Sequence, residues 1–453
     1  MPFRLIPPQM CYPKTMRPFL IPIFLATIFL PPTTEARTLF VSPDGDGTTG
    51  GSWETAYNAI GNAVVVAASG DKVWVRYGVY NETLNIEKSI LLLGGFLGEE
   101  AVRRKTIEKE TVISAEGLEF PVVKIGSDAT IDGFTLRDSD RAGMTIHGNA
   151  SAIVSNCRIT DNIPGGGFGG GVVVFGSVAH FTGCEFTNNW AIDAGGGIEI
   201  RRGVTSGRGS DVTMEDCIIS GNRNHRGGGM NCFDSSLTMR RCIVAENTAI
   251  SGGEFGSGPG GIQIGGEGVV RIEDCLVYGN RANRGDQITV GTCEVPAIFQ
   301  NCTIVSDNAG IVWDDIAPVF RSCILWGSTS IFERAQGAEG DPVVAFSCIQ
   351  GGYEGPGNIS VDPLFVDEAG EDFHLQPQSP CLDTADTEGP SDDLDGNPRP
   401  RDLFGVGRDG PGAFDMGAYE FQLPSADLNG DGETNMLDLL ILDRQWYSVS
   451  GVR

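Results

Sequence analysis

Two sets of side chains in this sequence have the types and spacing to do chemistry. Near the C-terminal end, Asp427, Asn429, Asp431, Glu433, Asn435 and Asp438 fall at positions 1, 3, 5, 7, 9 and 12 of a loop, with Gly432 at the sharp sixth position. Oxygens in that order surround a calcium ion, with Glu433 contributing its backbone carbonyl. The second set is a stripe of alternate residues on glycine-led segments: Thr145, His147, Val173, Phe175, Glu199, Arg201, Asn231, Phe233 and Gln263. Aromatic, carboxylate and guanidinium groups in one exposed column suit a sugar chain. Asp193 stands close by in the preceding turn. Other chemistries find no support. Adjacent carboxylates at Asp314-Asp315 and Asp392-Asp393 point to opposite faces of a strand. With no Cys-x-x-Cys and only four histidines, a zinc site is not expected.

The stripe exists only if the chain forms coils, and a repeat supplies them. NCRITDN (156–162), GCEFTNN (183–189), DCIISGN (216–222), RCIVAEN (241–247) and DCLVYGN (274–280) each place an apolar residue, aliphatic in all but the second, two positions after a cysteine and an asparagine five after it. Successive motif cysteines lie 27, 33, 25, 33, 27, 21 and 25 residues apart. The apolar pattern alternates rather than following a helical period: Val212 and Met214 share one face, Cys217 and Ile219 another. The glycine-led segments, such as GGGIEI (195–200), add a third strand. Three short strands per coil, with no room for helices, predict an all-β parallel solenoid whose coils stack about 4.8 Å apart.

Equivalent residues then form ladders. The asparagines are expected to take left-handed backbone at turns and to hydrogen-bond from coil to coil. Cys157, Cys184, Cys217, Cys242, Cys275, Cys302, Cys323 and Cys348 are expected inside as a thiol ladder. Parallel Cβ vectors one rung apart are too far separated for a relaxed disulfide.

Composition bounds the partners. A net charge of −27 and a pI near 4.4 argue against nucleic acid and anionic membranes. Residues 1–36 carry basic residues, the apolar run Phe19–Leu30 and a small-x-small site at Thr34–Ala36, as a signal peptide does. No later segment is apolar enough to span a bilayer, so the expected location is extracellular or at the cell surface, as a monomer. The expected divisions are 1–36 signal peptide, 37–360 coils, 361–421 final coils and C-terminal cap, and 422–453 calcium-binding module.

With these features the sequence resembles the right-handed parallel β-helix superfamily that includes pectate lyases. TLFVSPDGDG, from Thr38, and the segment on to Glu100 resemble the entry of bacterial exported β-helix proteins, with Trp53–Ala68 as an amphipathic capping helix. The resemblance implies a three-strand β-helix acting on polysaccharide, with Arg201 as base or charge clamp and Glu199 as metal ligand or acid of a lyase, and Asp193 beside them. His147, Phe175, Asn231, Phe233 and Gln263 would bind substrate. The polygalacturonase signature Asn-Thr-Asp is missing. Gly-Gly-x-Ile and Phe-x-x-Asn elements, as in Phe186–Asn189, also resemble repeats of non-catalytic polymorphic outer-membrane proteins. Asp362–Phe365, Ser379–Asp383 and Asp415–Glu420 resemble the tail of surface-anchored β-helix proteins. The final loop, with Asp438 last and a Leu-rich stretch to Trp446, resembles one repeat of a type I dockerin, an EF-hand-like helical module. That implies a cohesin-like scaffold or cell-surface partner. The family carries two repeats where one is visible, and Met436 and Leu437 replace its small hydroxyl pair.

Overall fold

The computed structural model describes residues 36–98, 110–163, 169–193, 195–225, 227–250, 258–282, 285–403, 406–407 and 412–422. The expected signal peptide and the calcium loop Asp427–Asp438 with its module lie outside these residues.

Three parallel sheets of twelve, ten and eleven strands run along the described coils. One coil passes from Met144–Ile146 in the ten-strand sheet to Ser151–Ser155 in the twelve-strand sheet, then to Arg158–Thr160 in the eleven-strand sheet. The next coil repeats it in register: Met144 pairs with Val172, Ala152 with Ala179 and Ile159 with Phe186. Alternation sends Val154, Cys157, Ile159 and Val174 into one continuous apolar core.

Sharp corners make the coils close. A left-handed residue immediately precedes each ladder cysteine from Cys157 to Cys323: Asn156 (φ 50°), Gly183 (φ 60°), Asp216 (φ 55°), Arg241 (φ 49°), Asp274 (φ 50°), Asn301 (φ 48°) and Ser322 (φ 55°). A second left-handed corner, at Asp161, Asn188 and Glu246, precedes the ladder asparagine. The expectation that the ladder asparagines themselves turn the chain is therefore corrected. Their amides work inside instead. Asn162 Nδ2 donates to Asn189 Oδ1 (3.0 Å), Asn189 to Asn222 (3.1 Å), Asn222 to Asn247 (2.9 Å) and Asn247 to Asn280 (2.9 Å). Each also satisfies backbone, as when Asn222 donates to Phe186 O at 2.8 Å. The third glycine of each triplet admits the amide: a Cβ on Gly197 would lie 2.9 Å from Asn222 Nδ2.

The ladder thiols are buried and unpaired by disulfides. They donate weakly to carbonyls of the previous coil, Cys184 to Val154 at 3.4 Å and Cys302 to Ile272 at 3.3 Å. Cys348 departs from this pattern. It pairs with outward-facing Ile324, and Ser347 takes the inward place, its hydroxyl accepting from Cys323 N at 3.0 Å.

The expected helix Trp53–Ala68 is shorter, Ile60–Val66. The residues before it are drawn to the first strand, Thr38–Val41: Tyr57 bridges Val41, and the Trp53 ring meets Phe40 at 4.9 Å. Ala59 offers no capping side chain, so Glu82 accepts from the amides of Ile60 and Gly61, both at 2.7 Å. At the other end Lys88 Nζ donates to the carbonyls of Val65 and Ala67.

After Ile359 the described chain adds no strand to the three sheets. The stretch expected as final coils folds back over the outside of the eleven-strand sheet. There, outward Leu276, Ile324 and Cys348 meet Phe373, Leu382, Phe414 and Met416 in a second apolar core. The physical cause is an outer face that turns apolar in the later coils, so a solvated face is replaced by a covered one.

His374 fastens this segment locally. Its ring lies 2.6 Å from Asp372 Oδ1 through Nδ1 and 2.8 Å from Asp395 Oδ2 through Nε2, and packs on Tyr419 at 4.0 Å. Burial pulls its pKa down, but the bonds and charges of Asp395 and Asp372 outweigh that and raise it above 6.5. A raised folded-state pKa gives stability that is full below the unfolded value and lost as pH rises through the folded one. Titration from pH 6 to 9 should therefore loosen the segment in the wild type, read by proteolysis at its exposed turns. His374→Gln should flatten that dependence; an unchanged profile would remove His374 as the cause.

Candidate functional site on the glycine-led sheet

The outward stripe resolves into two ladders. One runs Thr145, Val173, Glu199, Asn231 and Gln263, the other Phe175, Arg201, Phe233 and Gly265. His147 follows Ile146, the partner of Val174, and so begins the second ladder.

The first ladder is not the exposed column expected from alternation. Val173 and Asn231 are buried, and Glu199 is 0% exposed. The glycine turns cover them: a Cβ on Gly195 (φ 57°) would stand 2.8 Å from Glu199 Oε2, and one on Gly169 2.2 Å from Val173 Cγ2. Under that cover Arg201 Nε lies 2.9 Å from Glu199 Oε1, and Asn231 Nδ2 lies 3.0 and 3.1 Å from its two oxygens. Glu199 is thus a buried carboxylate held by a guanidinium and an amide. It orients Arg201 and does not reach the surface, which corrects its expected place as an exposed acid or metal ligand.

The second ladder does reach solvent. The Arg201 side chain is 32% exposed, and Phe233 is 41% exposed. A Cβ on Gly265 would meet the Phe233 ring at 3.0 Å, so the ring lies over bare backbone. Phe175, Arg201 and Phe233 occupy successive rungs, two aromatic rings flanking a guanidinium. Two polar atoms on this face, His147 Nε2 and Gln263 Oε1, are buried without a hydrogen-bond partner. Burial and the charge of Lys124 lower the His147 pKa, so the ring is neutral at pH 7. The structure therefore brings Glu199, Arg201, Asn231, Phe175 and Phe233 together, with His147 and Gln263 at neighbouring rungs. Asp193 stays exposed in the turn before Gly195.

Sequence reasoning missed a cleft of about 800 Å³ beside the C-terminal segment. Tyr278, Arg281 and Asp286 from the coils face Glu368, Glu371 and Phe373. The signal for it was present in Tyr278 and Val305, apolar bodies on an outer face. Among the described residues no group of three or more His, Cys, Asp or Glu is placed to hold a metal ion.

Residues 121–255 match the family described as right handed beta helix region. The coil body is a right-handed parallel β-helix. A pectate lyase, Pel9A, superposes with a TM-score of 0.50 at 14% identity, over 86% of this chain and 97% of that one. A rhamnogalacturonan lyase gives a TM-score of 0.47 at 12% identity, over 76% and 94%. The uncharacterized protein YwoF of Bacillus subtilis (strain 168) is 31% identical over 134 residues, 27% of this chain and 28% of that protein. At these identities the likeness to solved structures establishes the β-helix alone. No helix among the described residues is long and apolar enough to cross a membrane.

Proposed function

We propose that this is an exported β-helix protein that binds polysaccharide along the glycine-led sheet and is tethered outside the cell through its calcium loop. The observation that carries the binding reading is the Phe175–Arg201–Phe233 ladder, where rings and guanidinium repeat at one-rung spacing on an accessible face. Sugar rings stack on such aromatic faces, while Arg201, held in place by Glu199, is set to bond hydroxyls or a uronate. His147 and Gln263 stand on neighbouring rungs of the same face as further substrate-binding residues. In the lyase form of the reading, Arg201 would be the base or charge clamp of a calcium-assisted β-elimination on a uronate chain, with Asp193 at the edge. The Ile60–Val66 helix serves as cap of the first coil. Asp427, Asn429, Asp431, Glu433, Asn435 and Asp438 hold the calcium, and a cohesin-like scaffold or cell-surface component receives the module.

One observation favours a second reading, a non-catalytic surface or adhesion protein: Glu199 is buried and paired rather than free to exchange a proton. The experiment is calorimetry of the full chain against neutral and uronate polysaccharides, with and without calcium, alongside an ultraviolet assay for unsaturated product. Binding with product supports the lyase, binding without product the adhesin, and no binding to any polymer defeats both. Arg201→Ala and Phe233→Ala should each weaken binding about tenfold, close to 1.4 kcal/mol. Ile153→Ala, on the twelve-strand sheet, should leave it unchanged.

A further inference from the structure

Cys348 breaks the register of its ladder, and the break gives it a different neighbour. Had it kept the expected inward place it would face a cysteine one rung away with a parallel Cβ vector, a poor geometry for a bond. Instead Ser347 faces inward and Cys348 enters the outer core, fully buried among residues of the C-terminal segment. Its thiol donates to Val361 O at 3.1 Å and lies beside the thiol of Cys381, which is also fully buried and belongs to the same small core. Cys381 arrives from a separate stretch of chain, in Ser379-Pro-Cys-Leu-Asp383, where its own amide donates to Ser379 Oγ at 3.1 Å and its carbonyl accepts from Met416 N at 3.0 Å. Two thiols that meet from different segments are free of the parallel-rung restriction that keeps the interior ladder reduced.

We propose that Cys348 and Cys381 form an intramolecular disulfide that staples the C-terminal segment to the last coil. The oxidant is a small-molecule or protein disulfide. One cysteine thiolate attacks it, giving a mixed disulfide and releasing one external thiolate. The second protein thiolate then displaces the remaining external thiolate, so two protein thiols are oxidised and one external disulfide is reduced to two thiols. Because both sulfurs are buried once the segment is docked, the bond forms as the segment folds down.

The staple closes a loop of about thirty residues, so the oxidised protein should unfold roughly 3–5 °C above the reduced form. The loop also carries Glu368, Glu371 and Phe373, so the staple holds one wall of the cleft.

The direct test is peptide mapping of the full chain refolded in glutathione disulfide and alkylated under denaturing conditions. No lysine or arginine lies between Arg334 and Arg399, so trypsin leaves both cysteines in one peptide. That peptide should be unalkylated and lighter by the two thiol hydrogens. Cleavage after Glu354, Glu368 and Glu371 should leave the two cysteine fragments joined until a reductant is added. The interior cysteines, Cys157 to Cys323, should all be alkylated. Cys348→Ser should return Cys381 as an alkylated thiol and abolish the thermal difference between oxidised and reduced samples. Alkylation of both cysteines in the wild type, or linkage of either to another cysteine, would overturn the proposal.

Discussion

Replacing Arg399 by leucine is expected to cost about 3–5 kcal/mol and to release the C-terminal segment from the coils. Arg399 is fully buried beneath that segment. Its Nη1 lies 3.0 Å from Asp274 Oδ1, its Nε 3.3 Å from Glu420 Oε2, and Nη2 donates to Gly417 O at 2.8 Å. Asp274 belongs to a coil and Glu420 to the segment, so one guanidinium joins both. Burial pushes the Asp274 carboxyl up to about 7, with Arg399 and Arg240 pulling it back. Leucine leaves Asp274 and Glu420 buried without that partner, and each must then take up a proton or lose its place. The loss should shrink as pH falls through the raised folded-state values of these carboxyls, about 7 for Asp274, because the wild type's own carboxylates are then protonated while the unfolded chain is common to both proteins. Thermal unfolding at pH 7 and pH 4, with proteolysis at exposed turns of residues 361–403, measures both effects. A variant as stable as the wild type at pH 7 would show that the apolar contacts alone dock the segment.

Asn222→Ala is expected to destabilise the coils by on the order of 3–5 kcal/mol. Asn222 is fully buried, and its amide serves three coils. Its Oδ1 accepts from Asn189 N at 3.0 Å and Asn189 Nδ2 at 3.1 Å, while Nδ2 donates to Phe186 O and Asn247 Oδ1. Alanine removes all four bonds at once and leaves Asn189 N without its acceptor, while Asn189 Nδ2 keeps Ile159 O and Asn247 Oδ1 keeps Asn222 N. Asn222→Asp keeps the acceptors but turns the donor into a carboxylate oxygen facing Phe186 O and Asn247 Oδ1, and should cost at least as much at neutral pH. Denaturant midpoints of the two variants test this. A loss under 1 kcal/mol for alanine would mean that water or a shifted backbone satisfies the ladder.

The coils were legible because a period in sequence becomes a period in space. Alternation around each Cys-x-aliphatic unit places Cys157 and Ile159, or Cys217 and Ile219, inside, and stacking identical units satisfies the backbone between neighbours. The amide ladder could be expected from the same regularity. The left-handed corner could not be assigned to its residue, since Asn156, Asp216, Arg241 and Ser322 share no side-chain type. Only the strand ends on either side fix where the chain must turn.

The candidate site was legible in composition and not in depth. Alternation correctly directed Glu199, Asn231 and Val173 outward from the coil. Whether an outward residue meets solvent depends on what crosses above it, and here the glycine turns do. Phe175, Arg201 and Phe233 lie two residues further along and escape that cover.

From the sequence alone came the parallel coils, the inward ladders from Cys157 to Cys323 and the coil-to-coil asparagine bonds, because each depends on a short local pattern repeated in register. Tertiary structure decided what non-local contacts control: the burial of Glu199, the turning out of Cys348 and the folding back of the described residues between 361 and 422. None of these leaves a periodic trace, since each follows from two distant segments competing to bury the same surface.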